Sequence, residues 1–276
     1  MTEASQLIVD MRTEVSLPSW LDSLIFDELG ANYCRSNADM TVIDWDKTKI
    51  LNYLGTYFPR SFGESYCLFS AFFSKNASRF QGKDRLSLMD FCCGTGGEII
   101  ALLLAIGKFM PWIKCVDITA IDGNHDALRV FEKVAKASEA HLPFSLSISI
   151  GPLTIRDFFD LSDFDEIITG PFDIVMTFKA ICEFVSKERF EDQNPYYTVS
   201  ESLLKKLNKG DIMLLVDVSS KSDVTNNWLP NMMDKGLSKF SVNKLYRNPD
   251  FNQSFYVSHS KQHRDISKIA WRLIIK

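Results

Sequence analysis

The stretch "DFCCGTGGE", Asp90 to Glu98, constrains this chain more than any other. The apolar run "LSLMDF" leads into it and "IIALLLAIG" follows. A hydrophobic strand thus ends on an aspartate, and three glycines, a threonine and two cysteines separate it from the next apolar element. Strand, tight turn and helix is the predicted order. That arrangement holds a nucleotide-like ligand at a helix N-terminus.

The same alternation continues to the C-terminus. "IKCVDITAID" reads as a second strand, and in "NHDALRVFEKVAKAS" residues Leu128, Phe131, Val134 and Ala135 fall on one helical face. "FSLSISI" and "FDIVMTF" give strands three and four, and "DIMLLVDVS" a fifth. "VSESLLKKLNKG" is expected to be a helix capped by Gly210. "SFYVSHS" and "IAWRLIIK" form an expected antiparallel hairpin. Near-continuous apolar strands between helices imply a mostly parallel sheet with helices on both faces. The predicted fold class is therefore α/β: a seven-stranded, mostly parallel sheet with a C-terminal antiparallel hairpin, plus an N-terminal helical lid.

Composition changes near residue 85. Before it, "LPSWLDSLIFDELGANYC" and "DWDKTKILNYLGTYF" show helical spacing of apolar residues, punctuated by Pro18 and Pro59. The region is densely aromatic. Residues 1–85 are accordingly expected to form a helical cap or lid, and residues 86–276 the Rossmann-like ligand-binding domain. An apolar fraction of 46% and a charged fraction of 24% suit a globular chain with a proper core. A net charge of −4 argues against a non-specific nucleic-acid binder. Six cysteines make no C-x-x-C pair and no zinc spacing, so free thiols, a cytoplasmic location and no metal are expected. The N-terminus lacks a signal-peptide pattern, and no apolar run is long enough for a bilayer.

A dinucleotide fits the turn poorly. Setting Gly94 and Gly96 on the first two glycines of G-x-G-x-x-G places bulky Ile99 where the third small residue belongs. "MDFCCGTGGE" instead resembles motif I of the class I S-adenosylmethionine (SAM)-dependent methyltransferases, a D-x-G-x-G-x-G pattern in which Cys92 here replaces the first glycine. That replacement is expected to be tolerated where the backbone does not need positive φ. The family also ends strand two with an acid, matched by Asp122 in "TAIDGN", and closes its sheet with a hairpin. The resemblance spans about residues 86–276 and implies SAM as cofactor.

It also implies site residues. A carboxylate after strand two, Asp122, accepts from both ribose hydroxyls, with Gly123 and Asn124 beside it; Asn124 is the better-placed helix cap. Asp90 lies near the methionyl ammonium, and Gly94 and Gly96 let the backbone approach the ligand past Cys92. In "TIRDFFD", Asp157 is either an adenine partner or a plain loop carboxylate, and Phe158 either flanks the ring or joins the core. Phe178 and Lys179 follow strand four, near the adenosine or the methyl.

Methyl transfer chiefly requires positioning of the acceptor, removal of water and sometimes removal of a proton. Lys179, Glu183 and Asp217, at the carboxyl ends of strands four and five, are the catalytic candidates. In "YFPRSFGESYCLFSAFF" a proline is expected to start a helix, with Arg60 and Tyr66 facing the ligand and the remaining aromatics in the core. This stretch and "ICEF" resemble the Rsm22-like methyltransferases associated with small ribosomal subunits, whose cysteine cluster the chain lacks. Three readings follow: a methyltransferase acting on an enclosed small or medium-sized molecule, an rRNA or tRNA methyltransferase, and a non-catalytic SAM-fold module. "TFKA" stands where adenine amino-methylases carry N-P-P-Y. "DQNPYYTV", further on, is expected to be a loop between helices. Oligomeric state has no signal in the sequence.

Overall fold

The structure is a computed structural model that describes residues 11–34, 46–184, 194–221 and 228–276. Among these, nine strands form one mixed sheet. They are β1 (Glu14–Ser16), β2 (Arg85–Phe91), β3 (Cys115–Asp122), β4 (Ser145–Pro152), β5 (Phe172–Phe178), β6 (Leu207–Val218), β7 (Lys244–Arg247), β8 (Gln253–His259) and β9 (Gln262–Ile275). The order is β1-β8-β9-β6-β5-β2-β3-β4, with β7 also on β9. Strands β4, β3, β2, β5 and β6 are parallel, and β9 runs antiparallel to β6 and β8.

The α/β class, the parallel core and the terminal hairpin stand as expected; the count of seven does not. β9 is 14 residues long, well beyond "IAWRLIIK", so its outer side accommodates both β8 and the short β7. The three-residue β1 adds a parallel edge with Glu14 opposite Tyr256. Neither β1 nor β7 carries an apolar run that would mark it.

The period-two alternation sorts side chains to two faces. On one lie Leu86, Leu88, Val116, Ile118, Ile174, Leu214 and Trp271, packed with helices α2 (Lys47–Asn76), α3 (Gly97–Phe109) and α4 (His125–Ser138). On the other, Met89, Phe91, Val175, Met213 and Leu215 pack with α5 (Ser162–Ile167), α7 (Pro195–Lys205) and α8 (Leu229–Leu237). The short α1 (Ser19–Ser23) and a following π turn, Leu24–Glu28, join the first core. Helix α6 (Ile181–Phe184) follows β5.

Two local expectations change. Pro59 does not start a helix; it lies inside the 30-residue α2. An interior proline costs about 3 kcal/mol, but Leu54, Phe58, Phe62, Leu68, Phe69, Phe72 and Phe73 are all buried along this helix. At roughly 1.5–3 kcal/mol for each such side chain, burial on both sides of the proline outweighs the break. Gly210, with φ +97°, is not a helix cap. Helix α7 ends at Lys205, and Gly210 lies within β6, its N–H donating to the Lys276 carbonyl at 2.9 Å. No helix among the described residues is long and apolar enough to cross a membrane.

Candidate active site

Strand β2 has β3 on one side and β5 on the other, so successive connections leave it in opposite directions. Open α/β sheets bind ligands at such a switch point, beyond the carboxyl ends of the strands. Here that place is occupied by the glycine turn. Cys92, Gly94 and Gly96 have φ of +62°, +52° and +76°. The left-handed region costs an L-residue about 1–2 kcal/mol, so Cys92 carries strain. The expectation that its backbone avoids positive φ is corrected: the position is one that glycine suits.

The turn is held from three sides. The Cys93 N–H donates to the Ile121 carbonyl at 2.9 Å, tying the turn to β3. A Cβ on Gly96 would overlap the Phe131 ring of α4, and one on Gly94 would sit 2.9 Å from the Tyr53 hydroxyl oxygen of α2. Asp122 closes the arrangement: its Oδ2 accepts from the Gly94 N–H at 2.7 Å and its Oδ1 from the Asn124 N–H at 2.8 Å. Burial raises the Asp122 carboxyl above its ordinary value, and these two N–H groups oppose the rise. A carboxylate offers about four lone-pair sites, so two remain for hydroxyl donors. Asn124 caps α4, its Oδ1 accepting from the Ala127 N–H at 2.9 Å.

Beneath the turn lies a second group of carboxylates. Asp90 is 1% exposed, and no donor reaches either of its carboxylate oxygens among the described residues. Thr95 Oγ1 is likewise buried without a partner. Burial pushes the Asp90 carboxyl well up, and the nearby charges of Glu98 and Asp122 push it the same way. Burial also raises Glu98 to about 7, with Glu64 pushing the same way and its own backbone N–H and Lys179 pulling it down. Glu64, on α2, pairs with Lys179 Nζ at 2.9 Å. Lys179 itself, at the end of β5, has φ +52° and donates its N–H to the Val216 carbonyl.

The other expected site residues are more dispersed. Arg60 forms a two-pronged ion pair with Asp265 of β9, at 2.8 and 3.0 Å, and lies over the Tyr57 ring. Tyr66 stacks on Phe62 and lies beside Lys108 in the last turn of α3, away from the glycine turn. Asp157 accepts from the Phe159 N–H, and Phe158 packs edge-on against Phe91. Phe178 is buried in the first core. Asp217 accepts from the Tyr196 hydroxyl at 2.9 Å, from the Cys182 N–H at 3.1 Å and from the Val218 N–H at 2.8 Å. Glu183 lies in α6, and its side chain is outside the described residues. "NPYY" is the start of α7 rather than a loop, because Asn194 caps the Tyr196 N–H and Pro195 takes the first helical position.

Sequence reasoning missed Glu64, Glu98 and Tyr53. Glu98 closes the quoted motif, and an acid in a helix's first turn reads as dipole compensation; its burial was the lost signal. Glu64 is the lone carboxylate inside an aromatic stripe, which marks a buried charge awaiting a partner.

No family model and no curated protein matches the sequence. Solved structures do match in shape. The carbon methyltransferase DszA aligns over 92% of this chain and 64% of its own, with a TM-score of 0.51 at 12% identity. A SAM-dependent methyltransferase from Agrobacterium tumefaciens aligns over 76% of this chain and 62% of its own, with a TM-score of 0.47 at 10% identity. This chain spans less than two thirds of either. At 12% identity the DszA likeness shows the fold alone, a Rossmann-like methyltransferase fold.

Proposed function

We propose that the protein is a SAM-dependent methyltransferase acting on a small or medium-sized molecule beneath an N-terminal helical cover. The observation carrying this reading is Asp90, 1% exposed and without a donor at either oxygen, set directly before a turn whose far side is closed by Asp122. A buried carboxyl left without a donor costs about 1–3 kcal/mol. A chain retains it where a ligand completes it. The chemistry of this donor set suits SAM, whose ammonium and sulfonium are cationic and whose ribose offers two hydroxyls.

In this reading Asp122 takes the ribose hydroxyls through its two remaining lone-pair sites, and Gly94 and Gly96 keep the turn free of side chains. Asp90 faces the cationic end. When bound, SAM supplies a methyl group already activated by its sulfonium. The protein's task is then to orient an acceptor, exclude water and, where needed, accept a proton. Lys179 and Glu64 form one wall, since their ion pair joins the end of β5 to α2. Tyr53 of α2 lies over Gly94 of the turn, with the Tyr57 ring 5.1 Å from it, which supports α2 as part of the N-terminal cover. Asp217 contributes by holding Tyr196 and the chain at Cys182. None of the six cysteines forms a disulfide, in keeping with a cytoplasmic setting.

Calorimetric titration with SAM and with S-adenosylhomocysteine tests the reading. Binding of both is expected, and absence of binding would leave a fold without its cofactor. An RNA acceptor would instead announce itself by affinity falling steeply with salt.

A further inference from the structure

Among the described residues the carboxyl edge of the sheet holds one buried cation, and its donors are not all engaged. Of the buried lysines and arginines, Lys206 is paired with Asp165 ahead of β6 and Arg272 with Asp234 of α8, whereas Lys179 stands at the end of β5, 9% exposed. Its ammonium donates one hydrogen bond, to Glu64 Oε1 at 3.1 Å. Glu64 Oε2 lies 2.9 Å away but outside hydrogen-bonding alignment, and it has no partner. An ammonium carries three N–H donors, so two of those on Lys179 are without a partner among the described residues. Two costs meet at this residue. Its φ of +52° lies in the left-handed region that an L-residue disfavours, and a buried ion pair is no gain over apolar side chains of similar volume. Strain of this kind clusters at ligand clamps and active sites.

The backbone sets Lys179 across a crevice from the glycine turn. Met176 of β5 lies opposite Asp90 of β2, and the chain continues past Phe178 to Lys179, whose N–H donates to the Val216 carbonyl at 2.8 Å. At about 3.3 Å per residue along a strand, this carries Lys179 beyond Asp90 to the level of the turn. Glu64 and Ser65 are neighbours on α2, and Ser65 Oγ donates to the Glu98 carbonyl at 2.8 Å. The Lys179–Glu64 pair therefore stands against the first turn of α3, where the glycine turn ends.

We infer that Lys179 takes the carboxylate at the amino-acid end of SAM, with Glu64 as the positioning residue that holds the ammonium in place. This rests on the SAM reading above. The amino-acid end carries an ammonium and a carboxylate on one carbon, so its partners must be an acid and a cation on adjoining elements. Asp90 is the acid without a donor, and Lys179, on the neighbouring strand, is the cation with donors to spare. Arg60, expected to face the ligand, is engaged with both oxygens of Asp265. In the empty protein Glu64 neutralises Lys179, so no lone cation is buried. On binding, the open N–H donors turn to the ligand carboxylate while the bond to Glu64 stays.

The test compares SAM with decarboxylated SAM, which lacks only the carboxylate, by calorimetric titration into the whole chain. The missing group makes this probe the more cationic of the two, so the acids around the turn favour it unless a cation holds the carboxylate. A charge-assisted bond in a buried site outweighs that bias, and the wild type is expected to bind SAM about tenfold more tightly or better. In Lys179→Met the preference is expected to vanish or reverse, through loss of SAM affinity, while affinity for decarboxylated SAM does not fall. Glu64→Gln removes the resident counter-charge and is expected to widen the preference. Equal affinities in the wild type, tighter binding of decarboxylated SAM, or a preference that persists in Lys179→Met would overturn the inference. A preference in Glu64→Gln no wider than in the wild type would do so even if Lys179→Met fails to fold. Binding of neither compound by the wild type would overturn the cofactor reading itself, and the role of Lys179 with it.

Discussion

Two aspartates at the carboxyl edge of the sheet are buried almost equally, Asp90 at 1% and Asp217 at 0% exposure, yet they live in opposite circumstances. Asp217, near the end of β6, receives the Tyr196 hydroxyl and two backbone N–H groups. Asp90, near the end of β2, receives nothing and faces another acid. Burial alone therefore does not identify a functional carboxylate. The donor count does: a satisfied buried acid organises its neighbours, and an unsatisfied one marks where something from outside completes the protein.

The contrast is sharpest under mutation. Asp217→Ala strands the Tyr196 hydroxyl and the Cys182 N–H in the interior. At about 1–3 kcal/mol for each buried unpaired donor, a loss of about 3 kcal/mol is expected in urea unfolding. A loss under about 1 kcal/mol would mean that the Asp217 bonds do little. Asp122→Ala comes next. Because Asp122 ties down the Gly94 and Asn124 N–H groups, this variant is expected to lose about 2 kcal/mol of stability as well as SAM affinity. The conservative Asp122→Asn separates the two effects, weakening the ligand more than the fold.

Asp90→Asn should move the other way. Its amide gives Glu98 a donor and removes an unpaired carboxyl, so ligand-free stability is expected to rise by about 1 kcal/mol while SAM affinity falls at least tenfold. Destabilisation with unchanged affinity would place Asp90 beside Asp217 as a structural residue and erase the comparison. The smallest effect is expected for Cys92→Gly. It relieves a positive φ worth about 1–2 kcal/mol against about 0.5–1 kcal/mol of added chain entropy, for a net gain near 0.5 kcal/mol. Thermal unfolding reads this directly, and a drop in the midpoint would show that the Cys92 side chain packs usefully.

What was legible in the sequence follows the same division between local and distant causes. The strands of the parallel core, the helix after the glycine turn and the Asn124 cap are written in local periodicity and in residue types at fixed offsets. Strands β1 and β7 are not, because three or four residues at an edge need no apolar run. Helix α2 passes through Pro59 because burial on both sides prevails, and burial is a property of the whole fold. Partners distant in sequence left no local trace. Glu64 meets Lys179 across 115 positions and Arg60 meets Asp265 across 205. The motif thus pointed to Asp90, Gly94, Gly96 and Asp122 as a group, while the charges arranged beneath them emerged only from packing.

The most direct measurement is a crystal structure of the chain with S-adenosylhomocysteine bound. The ribose hydroxyls are expected on Asp122, the amino-acid end beyond Asp90, and the glycine turn in backbone contact with the ligand. Density for the ligand at any other place, away from Asp90 and Asp122, would contradict the assignment of this turn as the cofactor cradle.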